Sequence, residues 1–146
     1  FFSCTNEQAV EILSQLNGDW WFVLGNHDNP SKLETVINTV NKLKGTNHRC
    51  LGWYHKLLVK QEPKVKGEKW YKKLLILCHF PIEDWDSKHH GSAMIHGHVH
   101  GGGSGHDGRG LSKIPNRFDV GIDNSHTFTP FSFEDVKRIL RKTRDV

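Results

Sequence analysis

Apolar positions along the chain switch between helical spacing and short continuous runs. Thr5 and Gln8 form a capping-box pair ahead of a helix over Glu7–Asn17, in which Ala9, Ile12, Leu13 and Leu16 share one face. Trp20–Leu24 is apolar throughout and predicts a short strand buried on both sides. A second helix is expected over Lys32–Leu43, with Leu33, Val36, Ile37, Val40 and Leu43 inward. His55–Val59 and Trp70–Cys78 read as paired strands joined by a turn around Pro63–Gly67. Ala93–His96 and Phe118–Ile122 read as further strands. Ser132 is placed to cap a last helix whose Phe133, Val136, Ile139 and Leu140 face the core. Strands and helices alternate without internal repeats, so the pattern predicts an α/β chain with no second domain.

Composition narrows the class without naming a function. The chain has 146 residues, enough for one domain, and 36% hydrophobic with 25% charged residues is an ordinary globular balance. No apolar run nears the roughly 18 residues that a membrane-crossing helix needs, and no secretory signal pattern opens the sequence. Cys4, Cys50 and Cys78 are too few for a disulfide framework and lack CxxC spacing, which points to reduced thiols in the cytoplasm. The net charge of +4 is modest. Lysines and arginines gather at Lys56–Lys73 and Lys137–Arg144, where interspersed acids read as a solvated hairpin face and an amphipathic helix, not a nucleic-acid surface. Positive potential of this kind would still draw a phosphate-bearing substrate.

Candidate chemistry sits at the ends of the apolar runs. Gly25-Asn26-His27-Asp28 follows Trp20–Leu24, His79 follows Leu74–Cys78, and Gly97-His98-Val99-His100 follows Ala93–His96. Open α/β sheets carry their sites at such strand ends. Imidazole nitrogens and an amide oxygen suit Zn, Mn, Fe or Ni. Alternation along an extended chain would send His98 and His100 to one side, and would turn Cys78 away from His79 as a buried thiol. With eleven histidines in the chain a lone His-x-His means little, and the joint pattern carries the weight. His96 reads as structural or as support for the ligands. His89, His90, His106 and His126 lie in polar, turn-rich stretches and read as solvent-facing. Gly18-Asp19 reads as a glycine past a helix end and a turn residue. The glycine-rich stretch 101–110 lacks the GK[ST] ending of a P-loop and reads as a loop.

These blocks, in this order, resemble those of the calcineurin-like metallophosphoesterases, particularly small bacteriophage and bacterial members. That family carries Asp-x-His and Gly-Asp blocks, then Gly-Asn-His-Asp/Glu, a lone His, and Gly-His-x-His. The likeness extends to Asn29-Pro30, to Phe80-Pro81-Ile82-Glu83, to His90-Gly91-Ser92 and to Arg117-Phe118-Asp119-Val120-Gly121-Ile122-Asp123-Asn124. It therefore covers nearly the whole chain, although the Asp-x-His and Gly-Asp blocks are not matched. The resemblance implies layered mixed β-sheets flanked by helices. It also implies that residues 1–146 are the C-terminal major part of a single metallophosphoesterase domain whose opening strands are missing from this chain.

The same resemblance implies two divalent metal ions, Mn, Zn, Fe or Ni. Asn26, His79 and His98 would hold one and His100 the other, so that one site is largely present here. His27 would approach the scissile phosphate and protonate or stabilise the leaving oxygen, with Asp28 hydrogen-bonding and orienting it. The implied reaction is hydrolysis of a phosphomonoester or phosphodiester by metal-activated hydroxide. It would need the unmatched blocks, on an N-terminal segment or a complementary chain. Two other readings stay open: a truncated or degenerate phosphoesterase-like subunit with a binding or structural role, and a metal-dependent nuclease.

Overall fold

In the computed structural model, which describes residues 3–63, 66–67, 71–100, 114–125 and 127–142, the expected capping box is present. Thr5 Oγ1 accepts from the Gln8 N–H at 3.3 Å, and Gln8 Oε1 accepts from the Thr5 N–H at 2.8 Å. Trp70, His106, His126 and the stretch 101–110 lie outside the described residues. The chain is mixed α/β and divides between Tyr54 and His55 into two compact units.

The first unit packs helix α1 (Asn6–Gln15) on helix α2 (Pro30–Lys44). Ala9 and Leu13, one turn apart, meet Leu33, Val36, Ile37 and Val40, whose spacing is that of a single helix face. α2 starts at Pro30, earlier than the hydrophobic stripe alone suggests. Asn29 caps it by accepting from the Lys32 N–H at 3.0 Å, and proline tolerates the first helical position. Gly45 ends it in the left-handed region, at φ 68°.

The apolar stripes overstate burial. Ile12, Leu16 and Leu43 remain 50%, 37% and 67% exposed; Leu16 caps the end of α1 and Leu43 lies in the last turn of α2. The run Trp20–Leu24 is likewise not a strand buried on both sides. Only β1 (Trp21–Phe22) forms a ladder, parallel to β2 (Arg49–Cys50), and Trp20 and Trp21 are 39% and 49% exposed while Leu24 is buried. α1 is capped by Leu16 in extended conformation, Gly18 (φ 78°) lies in a bend two residues further on, and the Asp19 carboxylate accepts from the Asn47 N–H at 2.7 Å.

The second unit is a four-stranded sheet in the order β3 (Tyr54–Gln61), β4 (Tyr71–Cys78), β5 (Ala93–His96), β6 (Arg117–Asp119). β4, β5 and β6 are mutually parallel, with Leu77 opposite Ile95 and Ile95 opposite Phe118. Side-chain alternation divides the strands cleanly. Leu75, Ala93, Ile95 and Phe118 pack with Val136 and Leu140 of helix α3 (Phe133–Lys142). Ile76, Cys78 and Met94 pack on the opposite face with Trp85, Phe80 and Ile82. Burial on both faces is the condition parallel strands require.

Two departures from expectation lie in this unit. The strand expected over Phe118–Ile122 stops at Asp119, whose Oδ1 accepts from the Gly121 N–H at 2.9 Å and turns the chain into a 3-10 helix, Ile122–Asn124. A Cβ at Gly121 would stand 3.1 Å from that Asp119 oxygen, so glycine suits the turn. The basic runs, in turn, are not wholly solvated. Lys73 is buried and donates to the Gly91 carbonyl at 2.6 Å. Lys137 is buried between Gln61 Oε1 at 2.7 Å and Glu134 Oε1 at 2.8 Å, above the rings of Tyr71 and Phe133.

Ser132 caps α3 by accepting from the Asp135 N–H at 3.1 Å. The Ser132 hydroxyl and backbone N–H both donate to Asp135, which with Arg138 nearby holds its carboxyl below the usual carboxylate range. A carboxyl whose folded value is depressed stabilises the fold above its unfolded pKa, about 3.9, and loses that contribution as pH falls through the folded value. Asp135→Asn should therefore lower the urea midpoint at neutral pH, and the difference should shrink as acid protonates the wild-type carboxyl. A midpoint difference independent of pH would refute this.

Candidate functional site

Gly25 to Asp28 form a tight turn after β1. The Asp28 N–H donates to the Gly25 carbonyl at 2.9 Å, and Asp28 Oδ2 accepts from the Gly25 N–H at 2.8 Å. This pair of bonds fixes the two central residues, Asn26 and His27, on an exposed loop tip. Asp28 is thus engaged by the backbone of the turn through a bond that closes the loop. The turn leads directly into α2 through the Asn29 cap.

In the second unit the parallel register lines up the carboxyl ends of β4, β5 and β6. The Gly97 N–H donates to the His79 carbonyl at 3.1 Å, and the Val120 N–H donates to the His96 carbonyl at 2.8 Å. His79 and His98, leaving adjacent strands, meet with His79 Nε2 3.1 Å from His98 Nδ1. Their rings cross edge-to-face at 4.9 Å between centroids, and Phe80 packs against both.

His98 and His100 do not belong to a strand. β5 ends at His96, and the Val99 N–H folds back to the Gly97 carbonyl at 2.9 Å. An i-to-i+2 bond with His98 at φ 71° is a γ-turn of the rare positive-φ kind. His100 also has positive φ, at 48°. Strand alternation therefore does not set their directions; the turn does. Non-glycine residues in the left-handed region cost free energy and concentrate at functional sites.

His100 is exposed, and its Nδ1 pairs with Asp123 Oδ2 from the 3-10 helix after β6. The sequence places Asp123 in the stretch Arg117–Asn124 without giving it a role. Its signal was an acidic residue just past the strand containing Phe118, on the neighbour of the strand that delivers His98. His96 is 2% exposed, sits opposite Asp119, and has its Nδ1 2.9 Å from the Gly97 carbonyl, consistent with a structural or supporting role. His89 and His90 are exposed, and Cys78 is buried.

The imidazole pair fits part of a metal site. Two nitrogens bound to one ion at about 2.0–2.1 Å stand roughly 2.8–3.4 Å apart for octahedral to tetrahedral angles, a span that includes the His79–His98 separation of 3.1 Å and also an ordinary hydrogen bond between the rings. Among the described residues, no group of three or more His, Cys, Asp or Glu is arranged to hold a metal ion. The His79–His98 contact is itself within hydrogen-bond distance, and two imidazoles alone do not make a metal site.

No family model, no curated protein and no solved structure matches the chain. No helix among the described residues is long and apolar enough to cross a membrane.

Proposed function

We propose that the chain is a metal-dependent phosphoesterase of the calcineurin-like type, acting in the cytoplasm on a phosphomonoester or phosphodiester. The observation that carries this reading is the 3.1 Å approach of His79 and His98 from the ends of adjacent parallel strands. The order of Gly25–Asp28, His79 and Gly97–His100 along the chain supports it. In this reading Asn26, His79 and His98 hold one divalent cation and His100 contributes to a second. When bound, such ions neutralise phosphoryl charge and generate a nucleophile at neutral pH. His27, at the tip of a turn braced by Asp28, protonates the leaving oxygen.

Metal binding tests the ligand assignment. Calorimetry of the chain with Mn²⁺ or Zn²⁺ should show a site that His98→Ala weakens by more than about 100-fold, beyond the 10–100-fold typical of residues that only support a ligand. Equal binding by wild type and variant would sink the assignment.

A further inference from the structure

A concavity of about 380 Å³ lies in the first unit, lined by Glu34, Ile37 and Asn38 of α2 and by His48, Arg49 and Cys50 at β2. Small-molecule pockets run from about 300 to 1,000 Å³, so this one suits a compact ligand. None of these residues belongs to the phosphoesterase blocks.

His48 is 2% exposed. The Trp20 backbone N–H donates to its Nδ1 at 2.9 Å. A backbone N–H can only donate, so the Nδ1 lone pair is used and the neutral ring carries its hydrogen on Nε2. That Nε2–H, on the far side of the ring from Trp20, meets no hydrogen-bond acceptor among the described residues. A buried donor without an acceptor is costly, so an occupant that supplies one gains from it.

The edge of β2 shows what kind of group fits. The Arg49 and Leu51 N–H groups donate to the Trp20 and Phe22 carbonyls at 2.9 and 2.8 Å, so His48 and Cys50 turn their backbone groups to the opposite edge. There the Asn41 side-chain amide accepts from the His48 N–H at 2.8 Å and donates to the His48 carbonyl at 2.9 Å. An amide thus already occupies the edge at His48. Cys50 repeats that edge two residues on, and Asn38, one turn before Asn41, lines the same concavity.

Charge decides against a carboxylate as the occupant. Glu34 is the acid of the lining, while the Arg49 guanidinium lies 5.9 Å over the Trp21 ring and its Nε donates to Asn47 Oδ1 at 3.3 Å. A neutral group that sets an acceptor beside a donor suits both His48 Nε2–H and the Glu34 carboxylate. A second carboxylate suits only the first and is repelled by Glu34.

We propose that this concavity binds a small molecule by a neutral amide edge, its C=O accepting from His48 Nε2–H and its N–H donating to Glu34. Primary carboxamides and pyrimidine nucleobases both bear such an edge. The site does not rest on the phosphoesterase reading.

NMR of the 146-residue chain tests it, near pH 8 where an ordinary imidazole of pKa about 6.5 is neutral, with acetamide, uridine and acetate as probes. Acetamide or uridine should shift the His48 ring-nitrogen and Cys50 amide signals saturably, in the weak range expected of so small a ligand. Saturation by both supports an edge read whatever bears it, and saturation by one supports the site and names the bearer. Acetate, of the same shape as acetamide but charged, should need a concentration at least about tenfold higher. Glu34→Gln, an exposed change that removes the repelling charge, should narrow that gap to about threefold or less. Unmoved His48 ring signals, an equal response to acetate and acetamide, or a gap that Glu34→Gln leaves intact would overturn the proposal.

Discussion

Replacing His27 by alanine should lower phosphate-ester turnover by about 10²–10⁴-fold, the range general acid–base groups contribute, while leaving metal content unchanged. The argument is geometric. Asn26 and His27 share one turn, and the two bonds between Gly25 and Asp28 hold that turn whatever the residue at position 27. Removing the imidazole therefore leaves the Asn26 amide where it was. Asn26→Ala should show the converse, losing metal first and activity as a consequence. The measurement is steady-state hydrolysis with metal analysis, on protein supplied with a segment carrying the Asp-x-His and Gly-Asp blocks. Loss of bound metal in His27→Ala would make His27 a ligand and refute the role given to it.

Much of this arrangement was legible where local chemistry decides the outcome. The Thr5–Gln8 box, the Ser132 cap and β5 at Ala93–His96 follow from capping rules and alternation, and they stand where expected. The inward face of α3 does too. What failed to show depends on contacts between distant residues. Lys73 and Lys137 read as part of solvated runs, but the Gly91 carbonyl and the Tyr71 and Phe133 rings that bury them are set by tertiary packing. Trp20 and Trp21 read as buried because an apolar run does not reveal how much partner surface it will find. Gly97 ends the strand period, so alternation could not be carried on to His98 and His100. Asp123 is part of the family-like stretch Arg117–Asn124, but its pairing with His100 depends on the register that sets β5 beside β6.

Residues 1–146 alone, purified and loaded with metal, should hydrolyse a generic aryl phosphodiester hardly above the uncatalysed rate. The expectation comes from counting donors. Asn26, His79 and His98 would serve one ion, but for a second the described residues offer only His100, paired with Asp123. Gly18-Asp19 is a poor replacement for the family's Gly-Asp block, since the Asp19 carboxylate already accepts from the Asn47 N–H at 2.7 Å. A two-ion centre works because attacking and leaving oxygens are stabilised together, so one ion short should remove most of the rate advantage. His100→Ala should then change the residual rate little, whereas supplying the Asp-x-His and Gly-Asp blocks should raise it sharply and make it sensitive to that substitution. The decisive comparison is the wild-type and His100→Ala rates without those blocks. Robust turnover that His100→Ala abolishes would mean that the 146 residues build a second cation site by themselves, with donors the motif comparison did not identify.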